Sequence, residues 1–290
     1  MSATLPTLPA ASTAPAAGTL SPARMGPGRA TPYRRIRAAL DAEWIKLRSL
    51  RSMLLTLVAA LIFSDGISTL VCSNYSSHWR DLSAAKQAVF DPFNINFGFL
   101  RVTVLFFGVV GALVVTNEYG NGLIRTTFAA TPQRGVVLAA KTVLLGALAL
   151  VTATVICFTA FLLGQGALSG HLSHVTLGSP GILARVLGSV FYLTAVALCG
   201  VFIGVLSRST ALAMTSVFGV FMVLPLSVDQ LPHTSLWRHT VPYLPSNLGE
   251  SLWHEHVDGF VSHGTAWFLM TLWVVGLGTL AVVWLRRRDA

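Results

Sequence analysis

Six apolar stretches of about twenty residues constrain this chain more than any other feature of its sequence. About twenty helical residues cross the hydrocarbon core of a bilayer, so each stretch predicts a transmembrane helix. The stretches are residues 53–72, 97–116, 142–164, 182–206, 211–228 and 264–285. The predicted fold is therefore all-α, a polytopic membrane protein with six transmembrane helices that form one domain over residues 53–288.

The composition excludes a soluble domain. Apolar residues make up 53% of the 290 residues and charged residues only 11%, whereas soluble domains carry about 25% charged residues. So few charges cannot cover a surface in water, and so much apolar sequence excludes disorder over most of the length. The three cysteines lie in apolar runs without C-x-x-C spacing, so we expect neither a disulfide framework nor a zinc ribbon.

The fourth and fifth apolar stretches form one long run, interrupted only by Ser207-Arg208-Ser209-Thr210. A helix of that combined length does not fit one bilayer. Because an arginine favours the membrane surface over the hydrocarbon core, the interruption predicts a helical hairpin with its turn at Arg208.

The basic residues predict the orientation. With the N-terminus in the cytoplasm, fifteen of the twenty lysines and arginines lie inside, as the positive-inside rule requires. Both termini are therefore predicted to be cytoplasmic, in a multi-pass protein of the cell membrane. The net charge of +9 thus follows the topology, and we expect no nucleic-acid partner.

Two segments precede the first span. Residues 1–32 are rich in Ala, Pro, Ser and Thr and predict a disordered cytoplasmic tail; they lack the basic start and apolar core of a signal peptide. In residues 33–52, Ile36, Leu40, Trp44 and Leu47 form one apolar stripe on a helix. This predicts an amphipathic helix lying in the membrane interface, the alternative being an ordinary basic segment beside the first span.

The inside loop between the second and third spans is long enough to present a docking surface. Asn121-Gly122 marks a turn, residues 123–130 have room for two helical turns, and Pro132 discourages the helix from continuing. Glu118, Arg125 and Arg134 remain for polar contacts. The sequence therefore predicts a short cytoplasmic element that a partner protein contacts, the alternative being a plain connector.

The stretches AEWIKLRSLRS and NEYGNGLIRTTFAATPQRGVVLAAK resemble the corresponding segments of ABC-2-type exporter permeases, particularly those of high-GC Gram-positive bacteria. The resemblance implies that residues 33–52 are a connecting helix and that Glu118, Arg125, Pro132 and Arg134 belong to a coupling element. That element would dock on a separate ABC ATPase, beneath a homodimer or heterodimer of permeases. It also implies short re-entrant helices between spans five and six.

The sequence contains no phosphate-binding loop of the Walker A type. That motif needs a lysine directly after a glycine, and Lys46, Lys86 and Lys141 follow Ile45, Ala85 and Ala140. We therefore expect no catalytic residues and no cofactor in this chain, with ATP and Mg²⁺ bound by the partner ATPase. Two alternatives remain: an ATP-independent secondary transporter or channel, and a membrane-embedded enzyme.

Several polar and small residues within the spans are further candidates. Asp65 in span one either lines a substrate path or forms an internal ion pair, for example with Arg101. Arg101 and Arg185 have side chains long enough to reach the outer interface. Gly200 and Gly204 form a G-x-x-x-G in span four that packs within the chain or against a second subunit.

All eight histidines fall in predicted outer segments. His254-Glu255-His256-Val257-Asp258 fails the H-E-x-x-H pattern at its last position, so no metal site is predicted. Solvated loop residues are the default interpretation, and metal binding or pH sensing by the histidines is the alternative.

Overall fold

The computed structural model describes residues 32–49, 51–120, 134–169, 172–228, 240–254 and 261–287. Every regular element in these ranges is helical. Six helices are long and apolar enough to cross a membrane, which confirms the predicted all-α, six-span fold. Nearly all of the predicted tail, residues 1–31, lies outside the described residues.

The chain begins with an N-terminal helix, Pro32–Ser49, and continues into the spans. Spans one to four and span six are Arg51–Ser77, Leu100–Gly120, Arg134–Leu168, Ile182–Ser207 and His263–Arg287. Span five, Thr210–Ser227, consists of two α-helical pieces on either side of a π turn, Gly219–Val223. The short segments are Trp79–Asp81, Ala84–Ala88, Pro92–Phe97, Val241–Tyr243 and Pro245–Trp253; we name the third and the last of them the Pro92 helix and the Pro245 helix.

Two buried clusters mark the two ends of the bundle. One cluster joins the N-terminal helix to residues near the ends of the spans, and includes Leu47, Val115, Leu138, Val205 and Leu285. We call this end the base. The other cluster surrounds the two proline-initiated helices and includes Phe93, Phe97, Leu248, Leu252 and Trp253; we call it the far end. Burying these aromatic and aliphatic side chains against each other holds the short helices onto the spans.

Spans two and four form the centre of the bundle. In their most apolar stretches 61% and 72% of residues are buried, against 17% in spans five and six. Small residues allow this close approach: a Cβ on Gly200 would overlap the carbonyl oxygen of Gly108, and a Cβ on Gly204 would lie 3.1 Å from the carbonyl oxygen of Ala112. The structure thus places both glycines of the G-x-x-x-G against span two of the same chain.

The predicted hairpin lies where the sequence places it. Span four ends at Ser207 and the next helix begins at Thr210. Arg208 adopts a left-handed conformation, with φ of 52°, and its N–H donates to the carbonyl of Gly204. A left-handed residue is a common way for a helix to end, although glycine usually occupies that position. The guanidinium of Arg208 lies 5.7 Å from the centre of the Tyr119 ring, at the base.

The π turn in span five has a local cause in the sequence. Pro225 lacks an N–H, and in a regular α-helix its ring would clash with the carbonyl four residues earlier. That carbonyl belongs to Phe221, which lies within the π turn. The wider turn relieves the clash while the helix continues, which is a recognised way for a helix to accommodate such a break.

Hydroxyl and amide side chains fasten span one to its neighbours. Ser64 and Thr103 share a hydrogen bond of 2.7 Å between spans one and two. Ser68 donates to the carbonyl of Ala160 at 2.9 Å and to the side chain of Asn96, and Asn96 donates in turn to the carbonyl of Phe161 at 3.2 Å. Buried polar atoms away from water need such partners, so these contacts fix the arrangement of spans one and three around the Pro92 helix.

Candidate functional site

The N-terminal helix packs on the base through a face that carries a charge. Its buried residues are Ala39, Glu43 and Leu47, which are spaced four residues apart and so lie on one side of a helix. Ile36 and Trp44, two members of the predicted apolar stripe, stay exposed. Their exposure favours the interfacial position predicted for this helix, because apolar side chains that leave the protein core are accommodated by lipid.

Glu43 is the centre of an ion network of four side chains, which we call the base network: Glu43, Lys46, Glu118 and Lys141. Lys141 Nζ donates to Glu43 Oε2 at 2.6 Å and to Glu118 Oε1 at 2.8 Å. Lys46 Nζ donates to Glu43 Oε1 at 2.8 Å and to Glu118 Oε1 at 3.1 Å. Each ammonium therefore bridges both carboxylates, and the two positive charges balance the two negative ones.

The base network is largely shielded from solvent. Glu43, Lys141 and Glu118 are 2%, 5% and 8% exposed, respectively. Burial disfavours the ammonium form of Lys46, but the hydrogen bond to Glu43 and the charges of Glu118 and Glu43 outweigh it and raise its pKa. Lys46 is therefore charged at neutral pH. Opposite charges that are equal in number and hydrogen-bonded to one another are the arrangement in which buried charges are tolerated.

The network joins three elements at a defined place. Glu43 and Lys46 belong to the N-terminal helix, Glu118 lies in the last turn of span two, and Lys141 lies in the first third of span three. Glu118 and Lys141 thus flank residues 121–133, the heart of the segment predicted to dock on a partner. Their 2.8 Å ion pair joins the two ends of that segment, which we call its root. Glu43 and Lys46 connect the root to the N-terminal helix.

Of the four predicted coupling residues, only Glu118 has a side chain that the structure describes. Glu118 is buried within the base network. Arg125 and Pro132 lie outside the described residues, as does the short helix predicted over residues 123–130. Arg134 is the first residue of span three, but its side chain is not described. The coupling role of these four residues therefore stays a prediction.

The pairing of Glu43, Lys46 and Lys141 with Glu118 was not predicted from the sequence. One signal was available, because Glu43 and Lys46 stand three residues apart on one helix and such pairs face each other. The meeting with Glu118 and Lys141 depends on tertiary packing, which that spacing does not reveal.

Asp65 lies half-buried between spans one and three. Its Oδ1 accepts a hydrogen bond of 2.9 Å from Thr159. The ion pair with Arg101 that the sequence left open does not form, because Arg101 Nε contacts Glu250 Oε1 at 3.0 Å instead. The role of Asp65 in a substrate path stays a prediction.

At the far end, Arg185 holds the two short helices to span four; we call this set of contacts the far-end clamp. Its Nε donates to the carbonyl of Trp253 at 2.7 Å, and its terminal nitrogen donates to Asp91 at 3.0 Å and to Asn94 at 2.6 Å. The guanidinium also lies 4.1 Å from the centre of the Phe93 ring. Arg185 is only 8% exposed, so it does not extend to the outer interface as its length allowed.

Asp91 has a second task in the far-end clamp. Its Oδ1 accepts from the backbone N–H groups of Phe93 and Asn94 at 2.8 and 3.2 Å, which caps the first turn of the Pro92 helix. The following proline has the fixed φ of a first helical residue. The sequence Asp91-Pro92 therefore starts the helix and at the same time supplies a carboxylate to Arg185.

His254 directly follows Trp253, whose carbonyl belongs to the far-end clamp. Its ring packs against that of Trp253 at a tilt of 37°, with 3.9 Å between the ring centres. Burial, together with the positive charges of Arg101 and Arg185, lowers its pKa to about 4. His254 is therefore neutral at physiological pH, and a pH sensor at this position would need acid well below neutrality.

These features define a helical membrane protein with six spans, an N-terminal helix locked to its base and short helices packed at its far end. A family model described as an ABC-2 family transporter protein matches residues 39–225. That range includes all four residues of the base network and the far-end residues Asp91 and Arg185. The chain belongs to the ABC-2 transporter family, and it is a membrane component of an ABC transporter. No curated protein matches the chain at a significant level.

Proposed function

We propose that this chain is the permease subunit of an ATP-driven exporter, and that a separate ABC ATPase hydrolyses the ATP. The observation that carries the proposal is the base network in a member of the ABC-2 family. Its Glu118–Lys141 ion pair joins both ends of the segment predicted to contact the ATPase, and it is tied to the N-terminal helix through Glu43.

The base network gives the proposed coupling a mechanical route. When ATP closes the ATPase subunits, their motion pushes on residues 117–134. The root of that segment cannot move alone, because Lys141 and Lys46 each bind both Glu43 and Glu118. The push therefore displaces span two, span three and the N-terminal helix together. Buried groups held by several hydrogen bonds move as a unit more readily than they separate.

The membrane geometry of the proposal follows from charge. We place the base and both termini in the cytoplasm, and the protein in the plasma membrane, because fifteen of the twenty basic residues then lie inside. The length of span three supports an element that reaches out of the membrane: its 35 residues extend about 50 Å as an α-helix, whereas the hydrocarbon core is about 30 Å thick.

The remaining parts of the proposed transporter come from partner chains. A second permease, identical or related, completes the pathway, and an amphiphilic substrate moves outward along the interface between the two. ATP and Mg²⁺ bind to the ATPase subunits, in keeping with the lack of a glycine–lysine step in this sequence.

Reversing the charge of a coupling residue tests the proposal. We expect Arg125→Glu or Arg134→Glu to weaken ATPase binding by roughly 30-fold or more, because losing one partner of a hydrogen-bonded charge pair at an interface costs about 2–5 kcal/mol. The measurement is the amount of ATPase that co-purifies with each variant, together with transport-linked ATP turnover. Membrane insertion should persist in both variants.

The matched control is Arg238→Glu, a reversal of the same charge in a loop predicted on the outer side. It should leave ATPase docking unchanged. If both inner reversals behave like this control, residues 117–134 are not the coupling element.

A further inference from the structure

A cavity of about 390 Å³ lies at the far end, between spans two, four and five and the Pro245 helix. Its polar lining residues include Arg101, Asn247 and Glu250. Its apolar lining residues include Val104, Phe221 and Met222. Its volume falls in the range of sites that hold small molecules, and a lining with both charged and apolar side chains suits a ligand with a polar head and an apolar body.

The polar lining contains an ion pair, and a ligand can replace its contact with little loss of free energy. Arg101 Nε donates to Glu250 Oε1 at 3.0 Å, with 61% of the arginine side chain and 24% of the glutamate side chain exposed. An ion pair so open to solvent contributes about 0–1 kcal/mol. Within the described residues this is the one hydrogen bond of the guanidinium, so its two terminal nitrogens can still donate to an acceptor on a ligand.

Part of the apolar lining comes from the π turn in span five. The π turn Gly219–Val223 contains Phe221 and Met222, and both line the cavity. Pro225, the residue that causes the turn, also lines the cavity. Turns of this kind occur frequently at functional sites. The Pro245 helix forms the facing wall and is held in place by the far-end clamp through the carbonyl of Trp253.

The pair of opposite charges selects the kind of head group. An anionic head would be attracted by Arg101 but repelled by Glu250. A cationic head would be attracted by Glu250 but repelled by Arg101. A neutral head would leave the pair as it is. A head that carries both charges satisfies both side chains, since its anion binds Arg101 while its cation binds Glu250, and each new contact is charge-assisted.

We propose that this cavity binds a zwitterionic amphiphile, with the anion of its head on Arg101, the cation on Glu250 and the start of its apolar chain against Val104, Phe221 and Met222. The site belongs to one chain and does not depend on the ATPase. The proposal therefore stands or falls separately from the function proposed above.

The test uses the full chain in detergent, with lysophosphatidylethanolamine carrying a brominated acyl chain as the zwitterionic probe. Trp253 lines the cavity, so a bound brominated chain should quench its fluorescence, and the quenching should shrink in Trp253→Phe. Anionic lysophosphatidylglycerol and neutral monoacylglycerol, brominated in the same way, are the comparison probes. We expect the zwitterionic probe to bind about tenfold more tightly than either of them.

Charge variants decide whether the ion pair is responsible. Glu250→Gln should reduce the tenfold preference over the anionic probe to about threefold or less, because Arg101 then attracts that probe without opposition. Arg101→Gln should reduce the preference over the neutral probe to about threefold or less, because the phosphate loses its partner. The double exchange Arg101→Glu with Glu250→Arg keeps both charges and should retain both preferences. Arg80→Gln removes an exposed arginine in the Trp79–Asp81 segment and should change nothing. Equal binding of the three probes by the unaltered chain, or an unchanged preference in both single variants, would overturn the proposal.

A final arm separates two sources of the same chemistry. The chain and its ATPase are reconstituted in vesicles containing the labelled zwitterionic probe, and the distribution of the probe between leaflets is followed after ATP is added. An ATP-dependent shift identifies the bound amphiphile as cargo. An unchanged distribution, alongside retained zwitterion-selective binding, identifies it as a bilayer phospholipid that occupies the same site.

Discussion

Replacing Lys141 with methionine is expected to lower the free energy of unfolding by about 3 kcal/mol or more. Lys141 is buried and donates to both Glu43 and Glu118. Removing one partner of a buried ion pair typically costs about 3–5 kcal/mol, because an uncompensated charge stays behind. We expect the lower part of that range, since Lys46 still contacts both carboxylates. Unfolding by SDS titration in mixed micelles measures the effect.

Two further variants make the Lys141 result specific. Lys86 is an exposed lysine in the short Ala84–Ala88 helix, so Lys86→Met should change the stability by no more than about 0.5 kcal/mol. Adding Glu43→Gln to Lys141→Met removes the excess negative charge and should recover part of the loss. A double-mutant cycle with no coupling between residues 43 and 141 would mean that the base network does not exist as described.

Replacing Arg185 with methionine is expected to destabilise the far end by about 2–4 kcal/mol. The change removes hydrogen bonds to Asp91, Asn94 and the carbonyl of Trp253. One hydrogen bond to a charged group contributes about 1.5–3 kcal/mol, and bonds made by the same side chain are not additive, so the loss of all three is expected to cost less than their sum. Hydrogen exchange should rise over the Pro92 and Pro245 helices before the spans respond, because the far-end clamp is what joins the two short helices.

Arg185→Lys is the informative companion to that variant. Lysine keeps the charge but has no planar fork, so one ammonium cannot reproduce the divergent bonds that the guanidinium makes. It should therefore lose most of the same stability. Arg80→Met serves as the control, since Arg80 is exposed. Arg185→Lys matching the unaltered protein would show that charge alone holds the far end.

The number and type of the spans were predictable because hydrocarbon thickness imposes a length on each apolar stretch. The residues at which each span begins and ends were less predictable. The apolar pattern of span three begins at residue 142, whereas the helix begins at Arg134, because helical structure continues beyond the apolar core. The turn at Arg208 was predictable, since one arginine interrupts an otherwise apolar run.

The sites depended on contacts that sequence spacing does not reveal. Glu118 was recognised as important, but its partners Glu43 and Lys141 come from separate helices that meet only in the folded chain. By its length alone, the side chain of Arg185 could reach the outer interface. The structure shows that Asp91, Asn94 and the Trp253 carbonyl surround it, and a buried arginine with three acceptors gains nothing by extending to water.

ATP hydrolysis in proteoliposomes tests the central claim most directly. The chain is reconstituted alone and together with a co-expressed ABC ATPase, and ATP turnover is measured in both preparations. We predict background turnover for the chain alone, and stable co-purification of the ATPase with turnover above background for the pair. Robust ATP hydrolysis by this chain without the ATPase, or failure of any ABC ATPase from the same cell to bind it, would contradict the assignment as a permease subunit.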